Sequence, residues 1–236
     1  GEKPLYYWSN GDYVLFASEI KALLTHPAVR READPDAVHE YLTFQYCLED
    51  RTLFRGIRRL RPGHYLVLDE NGREIDHRPY WNLEFEEDHT RDEEHYVDEL
   101  RFLLEDSVNL RLRSDVPVGA YLSGGLDSTA VSAIASRLLG RGLPVFTGYF
   151  AEGDAFSELP WAQAAAAHSK SPHHIVCPRA EDFASQFRSI TYHLDEPAAG
   201  PGAFPQFVVS ALARQHVKVV LGGQGGDGER GGEHDG

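Results

Sequence analysis

The sequence predicts an α/β protein, with a parallel sheet and its helices in the second half and a smaller α+β half before it. Three observations carry that expectation. From residue 92 onward, short apolar runs alternate with helical stretches, the pattern of strands joined by crossover helices. One of those runs, Val116 to Leu122, opens through a glycine-rich turn onto another helical stretch. Before residue 80 the punctuation differs: Asn10-Gly11 and Glu70-Asn71-Gly72 each lie between β-like runs and signal hairpins.

In chain order, Leu5 to Trp8 and Tyr13 to Ala17 form the first hairpin. Ser18 is placed to cap a short helix, Glu19 to Leu24, which stops before Pro27. Asp34-Pro35 is a cap followed by proline at the first helical position, so a helix should run from Pro35 to about Tyr46, burying Val38, Tyr41 and Leu42. His64 to Asp69 and Arg73 to Asp76 make the second hairpin. Tyr80 to Asp92 is polar and carries Glu84, Glu86, Glu87 and Asp88, which reads as a solvated linker. Two domains are therefore expected, residues 1–85 and 86–236.

Asp92 to Arg113 reads as a long helix with Val97, Leu100, Leu104 and Val108 on one face. Further strands are expected at Pro144 to Phe150, His173 to Cys177 and Val217 to Leu221, the last buried on both faces. Helices are expected over Thr129 to Leu139, Glu158 to His168, Ala180 to Leu194 and Ala203 to Gln215. In such sheets ligands bind beyond the carboxyl ends of the strands, where both Ser123-Gly124-Gly125 and Gly222-Gly223 fall.

Bulk properties narrow the function. No apolar run approaches the roughly 20 residues of a membrane span. A net charge of −14 disfavours non-specific binding to nucleic acid. Cys47 and Cys177, the two cysteines of 236 residues, form no CxxC pair and point to a reducing, cytoplasmic setting. The chain holds no methionine and starts at Gly1 on the approach to a strand, so it reads as a fragment of a longer protein.

The turn itself is Ser123-Gly124-Gly125-Leu126-Asp127-Ser128. A strand, a glycine-rich turn and a helix start form an anion site, because unpaired N–H groups point outward and the helix dipole favours negative charge. The glycines let the backbone approach a phosphate. Asp127 is the one charged side chain in the loop. A carboxylate beside a phosphate cradle repels the ligand unless a cation lies between them, so Asp127 implies Mg²⁺. The Walker loop is excluded, since no lysine precedes the final serine. The order instead resembles the PP-loop of ATP pyrophosphatases, which cleave between the α- and β-phosphates.

Separated stretches extend that resemblance. Lys3-Pro4-Leu5-Tyr6-Tyr7, Phe16 to Leu23 and Arg61-Pro62-Gly63-His64-Tyr65-Leu66 resemble the late part of an N-terminal-nucleophile glutaminase domain. Val116 to Ser128 and Leu221 to Asp227 resemble a synthetase domain. Together, from residue 3 to about 227, the chain is similar to glutamine-hydrolysing asparagine synthetases. The resemblance implies a parallel-sheet PP-loop ATP-pyrophosphatase domain (adenine nucleotide α-hydrolase-like), truncated here. Before it would come the C-terminal part of an α+β type 2 glutamine amidotransferase domain. It implies ATP and Mg²⁺, the substrates aspartate and glutamine or ammonia, and a β-aspartyl-AMP intermediate that yields asparagine, AMP and pyrophosphate. It is compatible with a homodimer and implies neither a nucleic-acid nor a membrane partner.

Carried over residue by residue, Ser123, Gly124, Gly125, Asp127 and Ser128 would hold pyrophosphate and Mg²⁺. Leu122 and Gly148 would lie beside the adenosine, and Gly222 and Gly223 would approach the nucleotide through their backbone. Asp127 and Asp227 would share the metal. Gln224 stands where the family often has a glutamate that handles the intermediate, and an amide cannot serve as a base.

After Asp227 the chain departs from the family and reads Gly228-Glu229-Arg230-Gly231-Gly232-Glu233, within a tail of eight glycines in fifteen residues. The family's N-terminal cysteine nucleophile is missing too, since Gly1 is not it and Cys47 lies far down the chain. The fragment alone is expected to be inactive. A PP-loop ligase acting on another carboxylate, or a nucleotide-binding remnant, are the alternatives. Elsewhere, His173-His174 reads as a strand-edge or surface pair rather than a metal site. Asp195-Glu196-Pro197 reads equally as a substrate-facing loop and as a helix stop with solvated acids.

Overall fold

In the computed structural model, residues 3–82, 84, 88–151, 157–198, 200 and 202–224 are described. They form two compact units, residues 1–87 with 188–200 and residues 88–187 with 201–236.

In the first unit the Asn10 side chain accepts the N–H groups of Asp12 and Tyr13, and Gly11 takes φ +94°. That local turn sets β1 (Tyr6–Ser9) antiparallel to β2 (Val14–Ala17). β3 (Arg58–Arg59) adds to the other side of β1, giving the order β2-β1-β3. β4 (His64–Leu68) and β5 (Glu74–Pro79) make a separate two-stranded sheet. Tyr6, Ile20, Leu23, Val29 and Ile57 form the buried cluster beneath the first sheet.

Helix α1 (Ile20–Leu23) is shorter than expected, and Ser18 does not cap it. Its first N–H groups go to Asp195 instead: Ile20 donates to one carboxylate oxygen at 2.8 Å and Lys21 to the other at 3.1 Å. Helix α2 (Pro35–Phe44) is capped by Asp34, which accepts from Asp36 and Ala37, and it ends at Gln45 in the left-handed region. Its buried residue is Ala37, while Leu42 is 76% exposed and Val38 lies open as well. The expected apolar face is thus corrected: Ala37 is the residue this ten-residue helix buries.

The second unit carries α3 (Glu93–Arg111), β6 (Val118–Tyr121), α4 (Leu126–Leu139), β7 (Val145–Gly148), α5 (Leu159–His168), β8 (His173–Val176), α6 (Ala180–Leu194), α7 (Ala203–Ala213) and β9 (Val219–Leu221). The last turns of α6 belong to the first unit. The four strands pair in parallel in the order β8-β7-β6-β9. Neighbouring strand residues point to opposite faces. Ala120, Val145 and Leu221 accordingly pack with Val108, Ala135, Ala162 and Ala166 from α3, α4 and α5. Tyr121, Phe146 and Val220 pack with Val209 and Ala213 from α7. Helices therefore cover both faces of the parallel sheet, as its apolar strands require.

Two expectations are corrected here. β9 pairs with β6 alone among the described strands, so it is an edge strand, and Val219 is exposed rather than buried. Along α3 only Val108 is buried, while Val97 and Leu100 stay exposed. No helix among the described residues is long and apolar enough to cross a membrane.

Candidate nucleotide site

The turn after β6 is closed by its own side chains. Ser128 Oγ accepts the Ser123 N–H at 3.2 Å, lies 2.9 Å from Ser123 Oγ and donates to the Gly125 carbonyl at 3.1 Å. Ser123 Oγ also accepts the Gly125 N–H. Residue 124 has to be glycine on two counts. Its φ is +102°, and a Cβ there would come within 2.5 Å of the Glu158 carbonyl oxygen. With Gly125 at the N-cap, no side chain caps α4, and an uncapped helix start is the kind of place where anions bind.

A buried support lies behind this turn. Leu122 donates its N–H to the Phe146 carbonyl, and its own carbonyl accepts the Thr147 hydroxyl at 2.6 Å. That hydroxyl has one hydrogen, so the His173 Nε2, 2.8 Å away, must donate to Thr147. Burial, with a smaller push from His174, lowers the His173 pKa and keeps the imidazole neutral. The His173-His174 pair lies on β8, an edge strand of the sheet as expected, and of the two it is His173 that meets the buried Thr147. His174 stacks on His216 at 3.8 Å, and the described residues hold no group of three or more His, Cys, Asp or Glu able to bind a metal.

Gly223, after β9, presses on the same helix start. A Cβ there would lie 2.6 Å from the Ser128 nitrogen and 2.9 Å from the Asp127 carbonyl carbon. Only hydrogen lets the backbone of this second loop lie along the first turn of α4. Gly222 carries no such demand, since a Cβ there would meet its neighbours at 3.9 Å.

Between the two loops is a cavity of about 650 Å³. Of the residues singled out from the sequence, Ser123, Gly125, Asp127, Ser128, Gly222, Gly223 and Gln224 line it. Leu122, Gly124 and Gly148 do not. Leu122 is 1% exposed in the sheet, Gly124 packs on Glu158, and a Cβ on Gly148 would strike Val209. Asp227 lies outside the described residues. Tyr121, Glu158 and Gln206 also line the cavity and escaped the sequence reading. Tyr121 ends β6 and was open to discovery by the strand-end rule. Its hydroxyl lies 2.7 Å from Ser210 Oγ on α7. Nothing in the local sequence marks Glu158 or Gln206. No described lining residue is Lys, Arg or His, so this wall supplies backbone N–H groups, hydroxyls and carboxylates but no cation.

Asp195 and Glu196 are neither solvated nor turned to this cavity. Asp195 is paired with Lys21 at 2.9 Å and its side chain is 6% exposed. Glu196 accepts the Leu53 N–H at 2.6 Å and pairs with Arg59 at 3.2 Å. The helix stop is as expected, since α6 ends at Leu194 and Asp195 takes φ +67°, but the acids are not solvated: their carboxylates accept part-buried backbone N–H groups of the first unit. Cys47 is equally far from a nucleophile's state, because burial pushes its thiol up to about 11.

Two family descriptions match this chain, asparagine synthase over residues 99–234 and glutamine amidotransferase domain over residues 1–81. The chain is 36% identical to asparagine synthetase (glutamine-hydrolyzing) 1 of Bacillus subtilis over 96% of its own length and 35% of that protein's. It is 38% identical to a putative asparagine synthetase (glutamine-hydrolyzing) of Mycobacterium bovis over the same two shares. With putative asparagine synthetase (glutamine-hydrolyzing) 2 of Methanocaldococcus jannaschii the identity is 33%, over 96% of this chain and 44% of that one. It thus spans between a third and a half of the length of these curated relatives. A parallel sheet with an open helix start at the Ser123–Ser128 turn, matched across more than half of the chain, places this protein in the asparagine synthase family.

Proposed function

We propose that the second unit is a PP-loop ATP-pyrophosphatase domain that activates the side-chain carboxylate of aspartate with ATP. The first unit would be the late part of an N-terminal-nucleophile glutaminase domain. In a protein of the relatives' length, ammonia from glutamine would then displace AMP from β-aspartyl-AMP to give asparagine. The observation that carries this reading is the uncapped first turn of α4, held open by the Ser123–Ser128 hydrogen bonds and flanked by Gly223.

The chemistry asks for such a turn. Attack of a carboxylate on the α-phosphate brings two anions together and builds charge on the departing pyrophosphate. Backbone N–H donors already aimed at that charge need no reorganisation during the reaction. Ser123 and Ser128, fixed by each other, would orient the β- and γ-phosphates. Leu122 and Gly148, at the carboxyl ends of β6 and β7, would back the adenosine. Gln224 would position the acyl group through its amide without taking a proton.

The donor set also suits Mg²⁺, since Asp127 and the hydroxyls offer hard oxygen atoms. A metal held largely by substrate phosphates needs only one or two protein carboxylates. Asp127 would hold it, with Asp227 as the second carboxylate, and bound there it would neutralise phosphate charge. The free thiols of Cys47 and Cys177 support a reducing, cytoplasmic setting.

The test is an amide NMR titration with MgATP. Asp127, Ser128 and Gly223 should shift together and saturably, and Asp127→Asn should weaken binding by about tenfold, one metal-mediated contact's worth. Amides of the first turn that stay in place through the titration would sink the reading.

A further inference from the structure

A second cavity, of about 520 Å³, is lined wholly by residues of the first unit. The side chains on its wall that can carry charge are Lys3, Arg59, Arg61, His64 and Glu196, beside Tyr6. Cations outnumber the single carboxylate there, against a net charge of −14 for the whole chain.

That carboxylate is already committed. One Glu196 oxygen takes the Leu53 N–H and the other takes one arm of Arg59. The Arg59 guanidinium is further held over the Tyr6 ring, 5.7 Å from its centre. Arg59 is therefore fixed in place while its Nε–H, buried, has no hydrogen-bond partner. The side chains of Lys3 and Arg61 make neither an ion pair nor a hydrogen bond among the described residues. Three cationic groups thus line one hollow: Lys3 and Arg61 are exposed, while the buried Arg59 Nε–H lacks the acceptor that buried polar groups ordinarily have. A preorganised guanidinium next to two free cations matches an anion with more than one charge.

We propose that this cavity is a binding site for a small dianion of the dicarboxylate or phosphate class. Lys3 and Arg61 supply the mobile contacts, and Arg59 supplies the fixed one. The volume falls in the range of small-molecule sites. Pro4, Leu5 and Pro197 add apolar wall, which suits the short carbon chain of a dicarboxylate better than bare phosphate. The strongly acidic remainder of the chain repels such ligands, so the local cluster selects where they settle. This site is separate from the Ser123–Ser128 turn and does not depend on the function proposed for it.

The experiment is an amide NMR titration of the whole chain at low ionic strength, with succinate in one arm and inorganic phosphate in the other. The expected result is a saturable shift of the amides from Leu60 to His64, tighter for succinate. Tighter binding of phosphate at the same amides would support the site and assign it to the phosphate source. Lys3→Gln and Arg61→Gln should each weaken binding about tenfold, the loss of one charge-assisted contact. Arg61→Lys should recover part of it, and the spectra should otherwise overlay the parent's. The proposal is overturned if shifts are confined to Gly125 and Ser128, if neither probe saturates, or if both glutamine variants bind like the parent.

Discussion

Helices α1 and α4 begin in the same way and end up with opposite uses. Neither has a side-chain cap of its own, so each exposes backbone N–H groups at its first turn. At α1 those groups are filled by the carboxylate of Asp195, from 175 positions further along the chain. At α4 they face a cavity, and the hydroxyls nearby are occupied with one another. One helix start has become a structural joint because the protein brings its own anion to it. The other has no such carboxylate at its cap and lines a cavity instead. The difference lies in the occupant, not in the helix. α1, at four residues, has little dipole to offer, and its N–H geometry alone is enough to demand a carboxylate.

The largest expected effect comes from emptying the filled start. Asp195→Ala would leave two backbone N–H groups without their acceptor and the Lys21 ammonium with Glu19 alone, in a setting where Asp195 is nearly buried. Breaking a buried charge pair on one side costs about 3–5 kcal/mol. Denaturant unfolding should show that loss, and hydrogen exchange should localise it to Ile20 and Lys21. A variant as stable as the parent would mean that the α1 joint is ornamental.

A smaller effect is expected from crowding the open start. Gly223→Ala would press a methyl group on the Ser128 nitrogen and the Asp127 carbonyl carbon, both backbone atoms that cannot swing away. Overpacking of this kind costs about 1–3 kcal/mol. MgATP affinity should fall by roughly tenfold or more. Gly222→Ala, with room for its Cβ, is the control that should bind as the parent does.

The smallest effect is a pH dependence in the support behind α4. Burial, with a lesser push from a neighbouring histidine in each case, lowers the pKa of His173 and His174 below the ordinary 6.5. The folded chain keeps them neutral while the unfolded chain takes up protons around that value. Their contribution to stability is therefore full above 6.5 and is lost as the pH falls from there toward their lowered folded values. Unfolding midpoints measured from about pH 7.5 to about pH 5 should decline, and His173→Gln should flatten part of the slope.

Much of the fold was legible because its signals are local. Asn10-Gly11 makes a turn through its own side chain and its own φ, and Asp34-Pro35 starts a helix within three residues. The strand-turn-helix at Ser123–Ser128 could be read for the same reason, since its closing hydrogen bonds span at most five positions. Burial was less legible. Val38, Leu42, Val97, Leu100, Phe183 and Phe187 sit at helical spacing and are exposed. Periodicity names a face but not what covers it. Within the cavity, Tyr121 was missed although its strand end could have marked it, whereas Glu158 and Gln206 are brought in by α5 and α7 and carry no mark in the sequence around them.

The sequence by itself determined the two classes of architecture, the order of strands and helices along the chain, and the glycine-rich turn between β6 and α4. Each rests on residues that act on their own backbone. Tertiary structure alone decided that Asp195 and Glu196 serve the first unit, through the N–H groups of Ile20, Lys21 and Leu53. It likewise decided that Val219 lies on an open edge, and that residue 223 must be glycine to lie against the start of α4. Those outcomes depend on which distant atom arrives at a buried N–H, an unpaired strand edge or a backbone surface. Chain closure over tens to hundreds of residues leaves no trace in the local pattern.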